Sequence, residues 1–175
     1  MAALAGACSS GELDAQVVRV IASKAEAPGL ARAAALGLRT SVINPMDENY
    51  GQELLDLAKA DRWDLICLAG YLRLLPLEVL AAFPDRILNV HPSLLPKYGG
   101  KGMYGRHVHE AVIANRELES GCSVHLVNTR YDEGRVLVQK RCPVMPDDTP
   151  ETLAARIAPM EHQAYIEAVR MLIAS

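Results

Sequence analysis

Asn89 and His91 are the side chains in this sequence best placed to do chemistry. They stand two residues apart in the apolar, β-branched segment 86–91 (RILNVH), which Pro92 ends. Because side chains alternate along a strand, the amide and the imidazole point to one face. They lie at the carboxyl end of the predicted strand, where open α/β sheets bind ligands. Such a pair suits a carbonyl oxygen that gains negative charge, although both could simply satisfy turn hydrogen bonds.

Asp132 is the acid that could complete this site. It lies in a predicted turn at residues 130–134 and is followed by Glu133 and Gly134. A carboxylate there could contact the imidazole of His91 and raise its pKa. The alternative is an Asx-type turn before a glycine, because one sequence cannot show that the two segments meet.

The elements that must position these residues alternate between strands and helices. The patterns predict strands at 16–22, 41–43, 63–69, 86–91, 122–127 and 136–142, and helices at 1–10, 28–36, 47–59, 76–83, 108–115 and 149–173. The 16–22 run (QVVRVIA) is β-branched and continuous and the 63–69 run (WDLICLA) is largely apolar, so we expect buried strands. This order predicts one α/β domain over residues 1–175, with a Rossmann-like, mostly parallel sheet, helices on both faces, and an antiparallel pair near the end.

Composition excludes several classes of function. The net charge is −3 and the basic residues form no long run, so no nucleic-acid partner is expected, although small anionic substrates are compatible. No apolar stretch could span a membrane, and no signal peptide is apparent, so we expect a cytoplasmic protein. The cysteines are scattered along the chain, so no disulfide is expected; they are Cys8, Cys67, Cys122 and Cys142. The remaining histidines have no metal-ligand spacing, so no metal is expected; they are His107, His109, His125 and His162.

Several segments together resemble the folate-dependent formyltransferases. LAGYLRLLP, RILNVHPSLLPKYGG, SVHLV and YDEG carry the resemblance, which runs from about Ala7 to the carboxyl terminus. The blocks GMYGRHVHEAVI and MEH favour the branch that formylates glycinamide ribonucleotide in de novo purine synthesis. The resemblance implies 10-formyltetrahydrofolate as co-substrate, glycinamide ribonucleotide as acceptor, and a monomer or homodimer.

The resemblance also assigns roles to individual residues. Asn89 and His91 would flank the formyl oxygen, and Asp132 would keep His91 protonated. One wall of the folate pocket would be formed by Tyr71, Leu72, Arg73, Leu74 and Leu75, and the other by Asn128, Thr129, Arg130, Tyr131 and Asp132, with Asn89 between them. Met160 and Glu161 would contact the acceptor, although Glu161 could equally lie on a solvated helix face.

The sequence departs from the family at its beginning. The family's first strand and its Gly-Ser-Asn-rich loop, which holds the acceptor phosphate, have no counterpart here; the SSG of residues 9–11 follows no strand. Because that strand lies mid-sheet, we expect either a gap with unpaired edges or strands that close up, alone or with the help of a partner subunit. The strand could instead lie upstream in a longer gene. The alternative functions are a formyltetrahydrofolate hydrolase and a folate-binding remnant.

Overall fold

The computed structural model describes residues 1–174, in which six helices pack around two β-sheets. The helices are α1 (Ala2–Ser9), α2 (Pro28–Ala35), α3 (Tyr50–Asp61), α4 (Leu77–Ala82), α5 (Arg106–Ala114) and α6 (Pro150–Ile173). The strands are β1 (Val20–Ala22), β2 (Thr40–Val42), β3 (Ile66–Cys67), β4 (Ile87–His91), β5 (Glu119–Leu126) and β6 (Val136–Pro143). The order of elements confirms the predicted α/β class.

Local sequence explains where the helices begin and end. Thr149 caps α6 by accepting a hydrogen bond from the Thr152 N–H, and the Thr152 hydroxyl accepts one from the Thr149 N–H. Pro150 occupies the first helical turn, where its missing N–H costs nothing. Gly37 follows α2 with a φ of 71°, a left-handed value that glycine adopts without strain. Helix α3 begins at Tyr50, later than predicted, because residues 47–49 form turns.

The strands form two sheets instead of one. Strand β1 pairs with β2 in parallel, and a separate sheet has the order β3-β4-β5-β6. Within the larger sheet β3 and β4 are parallel, whereas β4–β5 and β5–β6 are antiparallel. The predicted antiparallel addition is therefore confirmed, and the expected gap in the sheet is present.

The predictions of buried strands at 16–22 and 63–69 were wrong in length and burial. Only Val20–Ala22 and Ile66–Cys67 are extended, and their residues are half-buried or exposed. Each strand pairs with a neighbour on one side only, and just beyond β3 the Leu68 N–H still donates to the Leu88 carbonyl. Among residues 1–174 no helix is long and apolar enough to cross a membrane.

Two apolar clusters cover opposite faces of the larger sheet. One joins α1 and α6 to β4, β5 and β6 through buried residues such as Leu88, Val124 and Leu153. The other joins α3 and α4 to β4 through Leu54, Val79 and Ile87. Helices thus lie on both faces of the larger sheet, as predicted. Apolar packing on both faces of β4 fixes the strand that carries Asn89 and His91.

Candidate active site

Strand β4 carries Asn89 and His91 on one face of the sheet. Opposite them on β5 stand His125 and Ser123, in the pairs Asn89–His125 and His91–Ser123. The intervening Val90 packs against the apolar cluster on the other face. The predicted alternation is therefore confirmed, and it places the amide and the imidazole side by side at the end of the strand.

The loop after β4 folds back onto His91. The Nε2 atom of His91 lies 2.7 Å from the Tyr98 carbonyl oxygen, and since a carbonyl only accepts, Nε2 carries the proton in this bond. Tyr98 has a left-handed φ of 57°, and its hydroxyl donates to Glu117 at 2.9 Å. One ring nitrogen of His91 is thus engaged by the protein backbone in this state.

Asp132 does reach His91, as the sequence suggested. Its Oδ2 atom lies 3.4 Å from His91 Nδ1 and accepts a 2.9 Å hydrogen bond from the Gly100 N–H. Gly99 permits this approach, because a Cβ there would lie 3.2 Å from the Asp132 Cβ and 2.6 Å from Leu95 Cδ2. The glycine-rich loop therefore places a backbone donor on the carboxylate that faces the imidazole.

His125 is a member of the site that the sequence reasoning missed. Its Nδ1 donates to the Leu126 carbonyl at 2.9 Å, and its Nε2 lies 3.3 Å from Asn89 Nδ2. The same Nε2 lies 3.4 Å from Asp132 Oδ1. A histidine within the otherwise apolar strand SVHLV was the available signal. His125 links the amide to the carboxylate and so fixes the orientation of both.

Burial and neighbouring groups shift the pKa values of the central pair. Burial lowers the pKa of His91, and this outweighs the opposing effect of the Asp132 charge and the Tyr98 bond. Burial acts to raise the pKa of Asp132, but His125, the Gly100 N–H and His91 together hold it below its usual value. The net direction for the His91 pKa is opposite to the rise that the sequence suggested, and the role of Asp132 in keeping His91 protonated stays a prediction.

The two predicted folate walls adjoin one another. Val127, which leads into residues 128–132, packs against the same apolar cluster as Tyr71 and Leu75. Leu72 and Leu74 project into solvent, being 55% and 43% exposed, so they are available to a ligand. Leu75 is buried in the core, which leaves its side chain out of reach of a ligand unless the core opens.

The polar residues of these walls differ in their contacts. Arg73 is exposed and lies close enough to Tyr50 to affect its titration. Arg130 and Thr129 are exposed, and the Arg130 N–H donates to Asn128 Oδ1 at 2.9 Å. Tyr131 lines a cleft of roughly 520 Å³ beside Asp132. This cleft is bounded by the glycine loop and the 131–134 turn, so it adjoins only one of the two walls.

Met160 and Glu161 lie apart from the other site residues. Glu161 is close to Cys122, and burial raises the pKa of its carboxyl group. Cys122 and Ser123 point to opposite faces of β5, and Ser123 pairs with His91, so Glu161 lies across the sheet from the imidazole. Met160 packs against the larger apolar cluster. The structure does not bring either residue into contact with Asn89, His91 or Asp132.

The site brings the amide of Asn89, the imidazole of His91 and the carboxylate of Asp132 together at the carboxyl end of β4. This is the edge of an α/β sheet at which enzymes commonly bind their ligands. The chain belongs to the formyl transferase family, whose model, described as "Formyl transferase", matches residues 1–169. This confirms the family indicated by the sequence motifs.

Several relatives are phosphoribosylglycinamide formyltransferases. The phosphoribosylglycinamide formyltransferase of Haemophilus influenzae is 39% identical over 167 residues, covering 91% of this chain and 74% of the relative. The chloroplastic enzyme of that name from Arabidopsis thaliana is 42% identical over 93% of this chain and 57% of its own length. The chain thus spans little more than half of the chloroplastic relatives it matches.

Solved structures show the same fold. The phosphoribosylglycinamide formyltransferase of Brucella melitensis is 40% identical and superimposes with a TM-score of 0.89, covering 99% of this chain and 88% of that chain. A formyltetrahydrofolate deformylase of Pseudomonas syringae pv. tomato shares the fold. It is 21% identical and superimposes with a TM-score of 0.81, covering 97% of this chain and 55% of that chain.

Proposed function

We propose that this chain transfers a formyl group from 10-formyltetrahydrofolate to the amine of glycinamide ribonucleotide in purine biosynthesis. The observation that carries the proposal is the cluster of Asn89, His91 and Asp132 at the ends of β4 and the 130–134 turn. The relatives named phosphoribosylglycinamide formyltransferase support the choice of donor and acceptor.

The chemistry begins when the acceptor amine attacks the formyl carbon. The formyl oxygen gains negative charge, and Asn89 Nδ2 can turn from His125 to donate a hydrogen bond to it. The formyl carbon then keeps its new bond to the amine nitrogen and loses its bond to the folate nitrogen. The amine must give up a proton and the folate nitrogen must gain one.

His91 is the group suited to move that proton. Burial lowers the pKa of His91, which favours the neutral ring. Once the Tyr98 carbonyl has left, a neutral ring with its proton on Nδ1, towards Asp132, can accept a proton at Nε2 from the attacking amine and return it to the leaving folate nitrogen. Asp132 stabilises the imidazolium that exists between these two steps. Substrate entry must displace the Tyr98 carbonyl from Nε2, so we infer that the loop after β4 shifts when the site fills.

We infer that the folate lies between the two predicted walls. Exposed Leu72 and Leu74 offer apolar contact to a flat ring, and exposed Arg73 offers a positive charge to a carboxylate. On the other side, the folate ring would lie along the 128–132 turn, with its formyl-bearing end towards Asp132 and Asn89. Glu161 would meet the acceptor amine only if the acceptor reached over the end of the sheet, since it lies on the other face.

The proposal is tested by measuring formyl transfer to glycinamide ribonucleotide, with His91→Ala compared with His107→Ala. His107 is an exposed histidine whose contacts are Glu110 and Tyr104, so it is a matched control. We expect His91→Ala to lose roughly 10²- to 10⁴-fold in rate, and His107→Ala to keep its activity. Full activity in His91→Ala would contradict the mechanism.

Two further measurements separate the other functions. Release of formate from 10-formyltetrahydrofolate without any acceptor would indicate a hydrolase. Calorimetric titration with a folate analogue and with the ribonucleotide distinguishes a complete site from a folate-binding remnant, because a remnant would bind the folate analogue alone.

A further inference from the structure

The carbonyl of Tyr98 fixes which nitrogen of His91 carries the proton of the neutral ring. It lies 2.7 Å from His91 Nε2, and a carbonyl oxygen can only accept, so the ring is held as the Nε2–H tautomer. Nδ1 then presents a lone pair to Asp132 Oδ2, 3.4 Å away. Because the pKa of Asp132 is held below its usual value, this carboxylate is also an acceptor. The bond to Tyr98 therefore leaves two acceptors facing each other.

The opposite tautomer satisfies Asp132 and also suits proton transfer. With its proton on Nδ1, the ring of His91 can donate to the Asp132 carboxylate, and Nε2 is left with a lone pair that can accept a proton. This tautomer requires the Tyr98 carbonyl to leave, because a bare Nε2 and a carbonyl oxygen 2.7 Å apart would repel each other. Tyr98 and Asp132 thus compete for one proton of the neutral ring.

The backbone on either side of Tyr98 is anchored. The Ser93 hydroxyl donates to the Lys97 carbonyl at 2.6 Å, and the Gly100 N–H donates to the carboxylate of the site at 2.9 Å. Between these anchors Tyr98 has a φ of 57°, which is uncommon for a residue with a side chain, and the flexible Gly99 follows it. The peptide between Tyr98 and Gly99 is therefore the part of the loop that can turn its carbonyl away from the imidazole.

Glu117 holds the Tyr98 side chain in place. Its Oε1 atom accepts 2.9 Å hydrogen bonds from the Tyr98 hydroxyl and from Lys97 Nζ, and its Oε2 atom accepts from Lys97 at 3.1 Å. The backbone N–H of Glu117 donates to the carbonyl of Val112, a fully buried residue of α5. The carboxylate that binds the loop is thus tied to the core of the protein.

The Tyr98 side chain has room to move once this contact is lost. Tyr98, Lys97 and Glu117 line a cavity of roughly 210 Å³, and the buried Leu95 and Val112 form part of its apolar floor. A phenol released by Glu117 can shift into this space without opening the core. The loop can therefore adopt a second conformation while the sheet beneath it keeps its place.

We propose that Glu117 is a positioning residue that controls the tautomer of His91 through Tyr98. While Glu117 holds Tyr98, the ring keeps its proton on Nε2, where the base is needed. When Tyr98 is released and its carbonyl turns away, Nε2 gives one proton to water and Nδ1 takes one from water, so the ring stays neutral. Nε2 then becomes the base, and Asp132 accepts the hydrogen bond from Nδ1. The consequence for catalysis rests on the proposed function, whereas the tautomer is a property of the free protein.

The test measures the ring nitrogen chemical shifts of His91 in the free protein by nuclear magnetic resonance, with the signals assigned by their loss in His91→Ala. At about pH 8.5, roughly two units above the ordinary pKa of histidine, the ring is neutral. Wild type should carry the proton mainly on Nε2. Glu117→Ala and Tyr98→Phe should each lower the ratio of Nε2–H to Nδ1–H by roughly three- to tenfold, since each removes hydrogen bonds to a charged, partly exposed group. Glu117→Gln, which keeps an acceptor oxygen without the charge, should lie between them and wild type.

Glu119→Gln is the matched control. Glu119 is an acid two residues further along the chain, and its carboxylate pairs with Arg141 instead of the loop. Its replacement should leave the tautomer ratio of His91 unchanged. A wild-type ring with its proton already on Nδ1, or on both nitrogens, overturns the proposal. An unchanged ratio in both Glu117→Ala and Tyr98→Phe overturns it as well, even if these variants are less stable, because it would leave Glu117 a purely structural role.

Kinetics test the consequence for the reaction. Release of the loop should lower KM for 10-formyltetrahydrofolate by the same three- to tenfold factor with kcat little changed, because a larger fraction of the free protein is ready to bind. An unchanged KM in a variant whose tautomer ratio has shifted would overturn the control of the reaction by Tyr98. Absence of formyl transfer in wild type would instead contradict the proposed function, and the ring tautomers would still decide the role of Glu117.

Discussion

Replacing Asp132 with asparagine removes one charge from the centre of the site and almost no volume. The carboxylate lies 3.4 Å from a nitrogen of His91. At an effective dielectric constant near 20, an imidazolium at that distance is stabilised by at most about 5 kcal/mol. We therefore expect kcat/KM for formyl transfer to fall by roughly 10²- to 10³-fold, the upper figure corresponding to about 4 kcal/mol, which is most of that energy.

The same substitution should shift the pH dependence. Burial lowers the pKa of His91 and the Asp132 charge partly opposes this, so removing the charge lowers the pKa further. If neutral His91 is the active form, wild-type kcat/KM falls on the acid side below His91's ordinary pKa of 6.5. In Asp132→Asn this acid limb moves to still lower pH, while the plateau is reduced.

The assay is the pH profile of kcat/KM for both proteins, with Asp147→Asn as control. Asp147 is an exposed acid of the same size, so its replacement should change neither the plateau nor the acid limb. An acid limb that moves to higher pH in Asp132→Asn would refute the assignment of His91 as a neutral proton carrier. An unchanged plateau would refute the role of Asp132.

Two glycine substitutions separate activity from stability. Gly99→Ala should lower kcat/KM by about tenfold or more. The new Cβ would lie 2.6 Å from Leu95 Cδ2 and 3.2 Å from the Asp132 Cβ, so it should displace the carboxylate. Wild-type kinetics in this variant would show that the loop shifts instead and leaves Asp132 in place. Gly134→Ala should lower the free energy of unfolding by about 2 kcal/mol or more, measured by urea denaturation, because its Cβ would overlap the Leu126 carbonyl oxygen at 1.7 Å. An unchanged urea midpoint would contradict that close approach.

The sequence predicted the parts of the site that depend on local pattern. The period-two spacing of Asn89 and His91 placed both on one face of β4, and the proline after them marked the end of the strand. The turn containing Asp132 and the antiparallel pair that flanks it were also readable, because turn residues between two apolar runs predict a hairpin. These properties follow from the geometry of a few consecutive residues.

Contacts between segments that are distant in the chain could not be predicted from the sequence. Nothing in the order of residues required Asp132 to meet His91, or His125 to hold both Asn89 and Asp132. The sign of the His91 pKa shift was misjudged for the same reason. The effect of a neighbouring charge can be guessed from a motif, but the larger effect of burial depends on everything packed around the ring.

The sequence by itself determined the class of the fold, the family, and the position of Asn89 and His91 on one face of β4. Only the tertiary structure decided that β1 and β2 form a sheet of their own, while Ile21 of β1 packs against the same apolar cluster as Leu54 of α3 and Ile66 of β3. Apolar burial is non-directional, so it can hold the two sheets against one helix layer without backbone hydrogen bonds between them.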